Sequence, residues 1–311
     1  MKKTTANPQT TYTLWTIGAA LITIGLVVGL SPSTSAEVGT TRTQKPSQAS
    51  PRIDVVFTID ATGSMGDEID MVKKEIWTIA NRLMEGTPRP DIRFGLVFYQ
   101  DRGDAFVAKR TELTRNIDEI HAELMKVSAQ GGGDWREHVG RGLHEATSMQ
   151  WDASPNTTRI IYLVGDAPSH DDYNDGYSVA SAIEVANAKM IKINTIGCSG
   201  LNSGQSEFQS IASRTGGNFM PLTYQAIVKD DRGVKRSVIY FDGEMYEGEG
   251  VLDKKEWGRG GRSLIKSGKL KKARPSLRSR AAAPGAATEN NLDSLLEDDI
   301  KSEAKDKGVD Y

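Results

Sequence analysis

Between Ile53 and Leu222, short apolar runs rich in β-branched and aromatic residues alternate with longer stretches of helical period. Few architectures accept that rhythm. The runs fall at 53–59, 92–99, 105–109, 159–164, 191–196 and 218–222, and the helical stretches at 66–84, 116–127, 137–149, 176–189 and 205–215. In the first helical stretch Ile69, Val72, Ile76, Ile79, Ala80 and Leu83 form one apolar stripe, as a helix packed on a core requires. Strands of this kind separated by helices need crossover connections and cover on both faces. The expected fold is therefore α/β: a Rossmann-like, doubly wound, mostly parallel six-stranded sheet with helices on both faces. The closely spaced pair within 92–109, joined across Gln100 to Asp104, predicts one antiparallel edge strand. Such sheets bind ligands outside the carboxyl ends of their strands.

The flanks have a different texture. Residues 1–36 read as an export signal, with Lys2 and Lys3 in front, an apolar run from Leu14 to Leu30, a break at Ser31-Pro32, and small residues at Thr34-Ser35-Ala36 for cleavage. The apolar run is near the lower length for crossing a bilayer, so a cleaved signal peptide and an uncleaved signal anchor both stay open. Either form exports the bulk of the chain, to a periplasm, a cell surface or the medium, with membrane contact only through an uncleaved N-terminus. Residues 37–51 are polar, with two prolines, and read as a linker. In a C-terminal extension over 223–265, Ser237–Phe241 and Glu244–Glu247 flank Asp242-Gly243 and predict a β-hairpin, and Asp253 to Glu256 resembles a capping box opening a short helix. Residues 266–280 are strongly basic and 289–311 acid-rich, so 266–311 is expected to be a disordered basic-then-acidic tail.

A net charge of -2 offers no global field for nucleic acid or a membrane surface. Cys198 is the single cysteine, which rules out an intrachain disulfide, and its place behind an apolar run suits a buried thiol. Four scattered histidines argue against a zinc site.

The first apolar run ends on Asp60, followed by Ala61-Thr62-Gly63-Ser64. Past a strand's carboxyl end, residues two apart can aim their side chains the same way, and one carboxylate with two hydroxyls suits a hard cation: Mg2+, with Mn2+ or Ca2+ as alternatives. Alone, the same residues also fit a turn whose hydroxyls cap a helix. Two further acidic places lie where such an ion would need them. One is Gly131-Gly132-Gly133-Asp134-Trp135-Arg136-Glu137, an open glycine loop leading into a helix. The other is Gly165-Asp166-Ala167-Pro168, directly after an apolar strand. Asp60, Thr62, Ser64, Glu137 and Asp166 thus make a candidate oxygen-only shell on one rim of the sheet.

These residues resemble the metal-ion-dependent adhesion site of von Willebrand factor A (integrin I-like) domains, whose Asp-x-Ser/Thr-x-Ser signature stands here at Asp60 to Ser64. The resemblance covers about residues 52–222. It leans towards integrin β chains, in which a glutamate ligand closes an Asp-x-Pro-Glu loop; here the loop reads Asp134-Trp135-Arg136-Glu137, with Arg in place of Pro. That branch also places a histidine after its third metal loop, as His170 stands here, and two acids binding an adjacent ion where Asp67 and Glu68 stand. The resemblance implies that Thr62, Ser64 and Glu137 touch the cation, that Asp60 and Asp166 hold it through water, and that a protein partner's Asp or Glu carboxylate completes the shell. Three carboxylates leave an Mg2+ site near -1, so a glutamate-type site holds its metal firmly and attracts an incoming acid less.

Simpler readings accompany these. Asp67 and Glu68 stand in a helix's first turn, where acids favour the macrodipole without any ion. Asp134 fits an N-cap, and His170 a loop residue bonded to backbone. Trp135, Arg136 and His170 are candidate ligand contacts, although Trp135 would equally fill a gap. The chain has no Gly-x-Ser-x-Gly elbow, Walker loop or dinucleotide fingerprint. The expected function is cation-dependent protein binding without catalysis; a docking subunit of an envelope complex and, further off, a metal-dependent hydrolase are the alternatives.

Overall fold

The computed structural model describes residues 52–85, 90–241, 243–258, 261–283 and 286–306. The expected export signal and linker, residues 1–51, lie outside these. Six strands, β1 (Arg52–Asp60), β2 (Asp91–Tyr99), β3 (Ala108–Thr114), β4 (Thr157–Gly165), β5 (Lys192–Gly197) and β6 (Phe219–Pro221), form one sheet in the order β3-β2-β1-β4-β5-β6. All pairings are parallel except β2 with β3. The doubly wound sheet and its one antiparallel edge match the sequence reading. The edge strand itself begins later than the apolar cue at 105–109, because an edge needs no apolar run: its Lys109, Arg110 and Glu112 are charges that discourage pairing with another chain.

Helices α1 (Ile69–Met84) and α2 (Ile117–Lys126) cover one face, where Phe57, Ile59, Phe94 and Tyr162 meet Val72, Ile76, Ile79 and Ile120. Helices α3 (Val139–Thr147), α4 (Val179–Ala188) and α5 (Gln205–Arg214) cover the other, where Val56, Val97 and Leu163 meet Leu143, Ile183 and Phe208. The central strand β1 carries one buried acid before its end, Asp54, held from the neighbouring strand by Arg93 Nε and Nη2 at 2.8 and 2.6 Å. Asp54 and Arg93 are direct register partners, so the pair also fixes the alignment of β1 and β2.

A second sheet follows, of β7 (Tyr224–Lys229), β8 (Lys235–Phe241), β9 (Glu244–Gly248), β10 (Leu270–Lys272) and β11 (Ala287–Asn290), antiparallel in the order β10-β9-β8-β7-β11. The hairpin of β8 and β9 stands where the sequence places it, and the capping box at Asp253 and Glu256 opens the short α6 (Lys254–Trp257). Two more helices, α7 (Arg262–Lys266) and α8 (Pro275–Ala281), complete this layer.

The expectation of a disordered tail over 266–311 is corrected. Its described residues are folded, and they end in α9 (Leu292–Asp306), which lies beside α1 on the first sheet. Leu292, Leu296, Ile300 and Ala304 share one helical face, and each is fully buried in the main core. A four-residue stripe in a polar segment is diluted in any count of composition, yet four fully buried side chains, together with the contacts below, offset the cost of ordering the helix. Polar contacts add to it: Tyr162 donates a hydrogen bond to Asp299 at 2.6 Å, as does Asn194 at 2.6 Å. The basic run is neutralised within the fold, with Lys269 on Glu256, Arg274 on Glu247 and Arg280 on Asp231. Among the described residues no helix is long and apolar enough to cross a membrane.

Candidate functional site

Strand order reverses about β1 and β4, and the carboxyl ends of those two strands open the crevice in which doubly wound sheets hold ligands. Asp60 is the last residue of β1 and Asp166 follows β4 directly. Asp60 Oδ1 accepts hydrogen bonds from the Thr62 backbone N–H at 2.9 Å and from its hydroxyl at 2.7 Å. The Thr62 and Ser64 hydroxyls are 3.1 Å apart, and Ser64 donates to Asp166 Oδ1 at 3.0 Å. One chain of contacts therefore joins four of the five shell residues across two loops.

Glu137 reaches the cluster by a route different from the expected one. Rather than opening α3, it is extended and paired with the loop after β4: its N–H donates to Pro168 O at 3.0 Å, and its carbonyl accepts from His170 N at 3.0 Å. The helix starts two residues later, with His138 Nδ1 accepting from Arg141 N as its cap. This pairing turns the Glu137 carboxylate towards Thr62 and the glycine loop, where Gly132, at φ +83°, holds a backbone form that a larger residue adopts only with strain. Gly63 is required for a second reason. Its N–H donates to Gly131 O, and a Cβ there would lie 2.7 Å from that oxygen.

Asp60, Thr62, Glu137 and Asp166 are buried and Ser64 is exposed, so the cluster opens to solvent at Ser64. Burial, reinforced by Asp166, raises the Asp60 carboxyl to about 7. Burial, then Asp60, Asp101 and Asp104, raises Glu137 to about 9. Burial also raises Asp166 to about 6, with Glu68 adding to it and the Ser64 hydrogen bond opposing it. Asp60 Oδ2 and Glu137 Oε2 are buried without any hydrogen-bond partner in the protein. A hard divalent cation fits this donor set: it takes oxygen ligands, and it would supply the positive charge that three crowded carboxyls lack.

The remaining predicted residues distribute as follows. Glu68 is engaged by neighbouring residues of the fold. Its carboxylate accepts from Ser199 N at 3.0 Å and from the Tyr224 hydroxyl at 2.8 Å, which fastens the start of α1 to the first strand of the second sheet. The Asp67 side chain lies outside the described residues. Asp134 caps its own loop through Arg136 N at 2.9 Å and faces His170. The Arg136 guanidinium donates to Ser169 O at 2.6 Å, and Trp135 stands half-exposed beside the site. His170 is packed flat on Tyr173 between carboxylates rather than bonded to backbone through its ring.

Sequence reasoning missed the support under the cluster. Gln100 donates to Ala61 O at 2.9 Å and Gln130 O at 2.7 Å, tying the loop after β1 to the glycine loop. The buried Tyr99 hydroxyl has no hydrogen-bond partner and is pushed well up by burial, then by Asp60, Asp166 and Glu137. The signal was present: Tyr99-Gln100-Asp101 ends β2 on the same rim, and the strand-end rule that picked Asp60 and Asp166 applies equally there.

This fold and this rim define an α/β domain with an oxygen-donor cluster at the switch point of its sheet. The chain belongs to the von Willebrand factor A domain family, whose model matches residues 54–224. It is similar to the alpha-protein kinase vwkA of Dictyostelium discoideum, at 30% identity over 155 residues, covering 50% of this chain and 24% of that one. It is also similar to hemicentin-2 of Mus musculus, at 26% identity over 216 residues, covering 68% of this chain and 4% of that one. The chain thus spans only a small part of these relatives' length. Among solved structures it resembles the pilus adhesin SpaC of Lactobacillus rhamnosus GG, with a TM-score of 0.43 and 11% identity, covering 63% of this chain and 36% of that one. Proximal thread matrix protein 1 of the mussel byssus gives a TM-score of 0.42 and 20% identity, covering 55% and 41%.

Proposed function

We propose that this chain binds one divalent cation, Mg2+ before Mn2+ or Ca2+, through Asp60, Thr62, Ser64, Glu137 and Asp166, and uses it to hold an acidic group of a protein partner. The observation that carries this reading is the pair of buried, partnerless carboxylate oxygens, Asp60 Oδ2 and Glu137 Oε2, in a cluster that reaches solvent at Ser64. Buried acceptors without donors are costly unless a cation or a proton satisfies them. When bound, the cation supplies an electrophilic centre for an incoming carboxylate. The protein's own residues shape the approach: Ser64 lies on the open side, Trp135 offers half its surface as an apolar contact, and Arg136 brings a positive charge that offsets the third carboxylate. The site has donors for an ion and a binding mouth, which favours adhesion over turnover. An exported location accords with the N-terminal pattern and is part of the proposal.

Isothermal titration of Mg2+ into wild type and Glu137→Ala tests the metal; equal binding by both removes it. Capture of partners from an envelope extract in Mg2+ and in EDTA, with Ser64→Ala as control, tests the use of the metal, and capture indifferent to EDTA rejects it. Phosphatase or peptidase turnover with Mg2+ or Mn2+, lost in Asp60→Ala, would replace adhesion with catalysis.

A further inference from the structure

A cleft of about 650 Å³ opens where the first sheet ends and the second layer begins. It is lined by β6 and Leu295 of α9, and by Phe241 of β8 with Arg262 and Lys266 of α7. Phe219, Met220, Phe241 and Leu295 make the lining apolar, and none of the described lining residues is acidic. The volume is in the range of pockets that hold a small ligand. Because β8, α7 and α9 lie beyond residue 224, the von Willebrand factor A domain does not make this cleft alone.

We propose that this cleft binds a small amphipathic anion, an apolar chain or ring ending in one carboxylate, with Lys266 holding the carboxylate. Charge separates Lys266 from the rest of the basic run. Lys269, Lys271, Lys272, Arg274, Arg278 and Arg280 each face a carboxylate within 3.7 Å. Lys266 has no ion-pair partner among the described residues, and its side chain is exposed. It stands one turn after Arg262, whose guanidinium lies 5.9 Å from the centre of the Phe241 ring. Both charges therefore border apolar surface, where a cation attracts an anion more strongly than it does in open water.

Thr223 supplies an independent sign. It lines the cleft, is 1% exposed, and its hydroxyl has no hydrogen-bond partner among the described residues. A buried polar group left in this way is costly unless a ligand satisfies it. Strand β6 argues for a small ligand over an extended peptide. It pairs with β5 alone, so its outer edge is open, but it is three residues long and ends on Pro221, which has no N–H to donate. Affinity then comes from the apolar lining, which rewards each methylene removed from water, and from the cation rather than from a backbone ladder.

The test is calorimetric titration of dodecanoate, kept below its micelle concentration, into the full chain in EDTA, so that no cation at Asp60 and Glu137 holds the carboxylate. One equivalent is expected in wild type and in Ser64→Ala. Affinity should weaken about tenfold or more in Lys266→Glu, and binding should be lost in Gln209→Trp, which sets a large ring at the cleft. Lys266 and Gln209 are exposed, so both variants should melt near the wild-type temperature. Dodecyltrimethylammonium, with the same tail and the opposite charge, should not bind at a defined ratio. Wild type that binds no dodecanoate overturns the proposal. So does a folded Lys266→Glu that binds like wild type, or equal binding of the cationic probe. A decapeptide of alternating leucine and glutamate that binds through Lys266 where dodecanoate does not overturns it in favour of a peptide partner.

Discussion

Replacing Asp60 by asparagine separates two roles of one carboxylate. Asp60 is fully buried; its Oδ1 is satisfied by Thr62, and its Oδ2 has no partner. Asparagine keeps the satisfied oxygen and removes the charge. Lifting this carboxyl from 3.8 to about 7, through burial and then Asp166, amounts to about 4 kcal/mol of preference for the neutral form. The folded state keeps its proton to higher pH than the unfolded state, so folding stability without a cation falls as pH climbs above 3.8, and the loss is complete above about 7. Asp60→Asn lacks that loss. In EDTA it should match wild type near pH 4 and be more stable by up to about 4 kcal/mol at pH 8, a melting temperature higher by roughly 10 °C for a domain of this size. Saturating Mg2+ should then raise wild type and leave Asp60→Asn where it was. Thermal unfolding followed by circular dichroism between pH 4 and 8.5, with EDTA or Mg2+, reads all of this. An Asp60→Asn protein less stable than wild type at pH 8 in EDTA, or stabilised equally by Mg2+, refutes the reasoning.

Leu296→Ala or Ile300→Ala should each cost about 2–5 kcal/mol in chemical denaturation, whereas a loose tail would lose almost nothing. Gly63→Ala sets a Cβ 2.7 Å from Gly131 O; the overpacking should cost about 1–3 kcal/mol and weaken Mg2+ binding in calorimetry. Tyr162→Phe removes one donor to Asp299 and should cost about 1–2 kcal/mol in urea unfolding; an unchanged midpoint would show that this hydrogen bond does not help to hold α9.

The main sheet was legible because its strands are apolar on both faces and its helices carry stripes, which period and burial dictate locally. Asp60 and Asp166 were legible for a related reason: each ends or follows such a strand. Glu137 was visible as an acid after a glycine loop, but not its extended pairing with Ser169, since that depends on a loop over thirty residues away in sequence. The approach of His170 to Asp101 was invisible because the β2 end and the β4 end meet only after the sheet orders them. Helix α9 was hidden differently. Its stripe of four lies in a polar segment, and the surface that rewards it, around Phe57, Ile76 and Tyr162, belongs to residues made much earlier.

That arrangement has a consequence for biogenesis. The second sheet stands between β6 and α9, so the helix that helps close one face of the first sheet is synthesised only after most of that second layer. Tyr162 waits 137 residues for Asp299, and Arg82 waits 215 for Glu297. A ribosome-bound chain that lacks residues 292–306 keeps an apolar face uncovered and cannot reach its final core. Completion of this core is thereby deferred until residues 292–306 are available. The same delay makes a chain ending before Leu292 a sticky product, fit for proteolysis rather than for use.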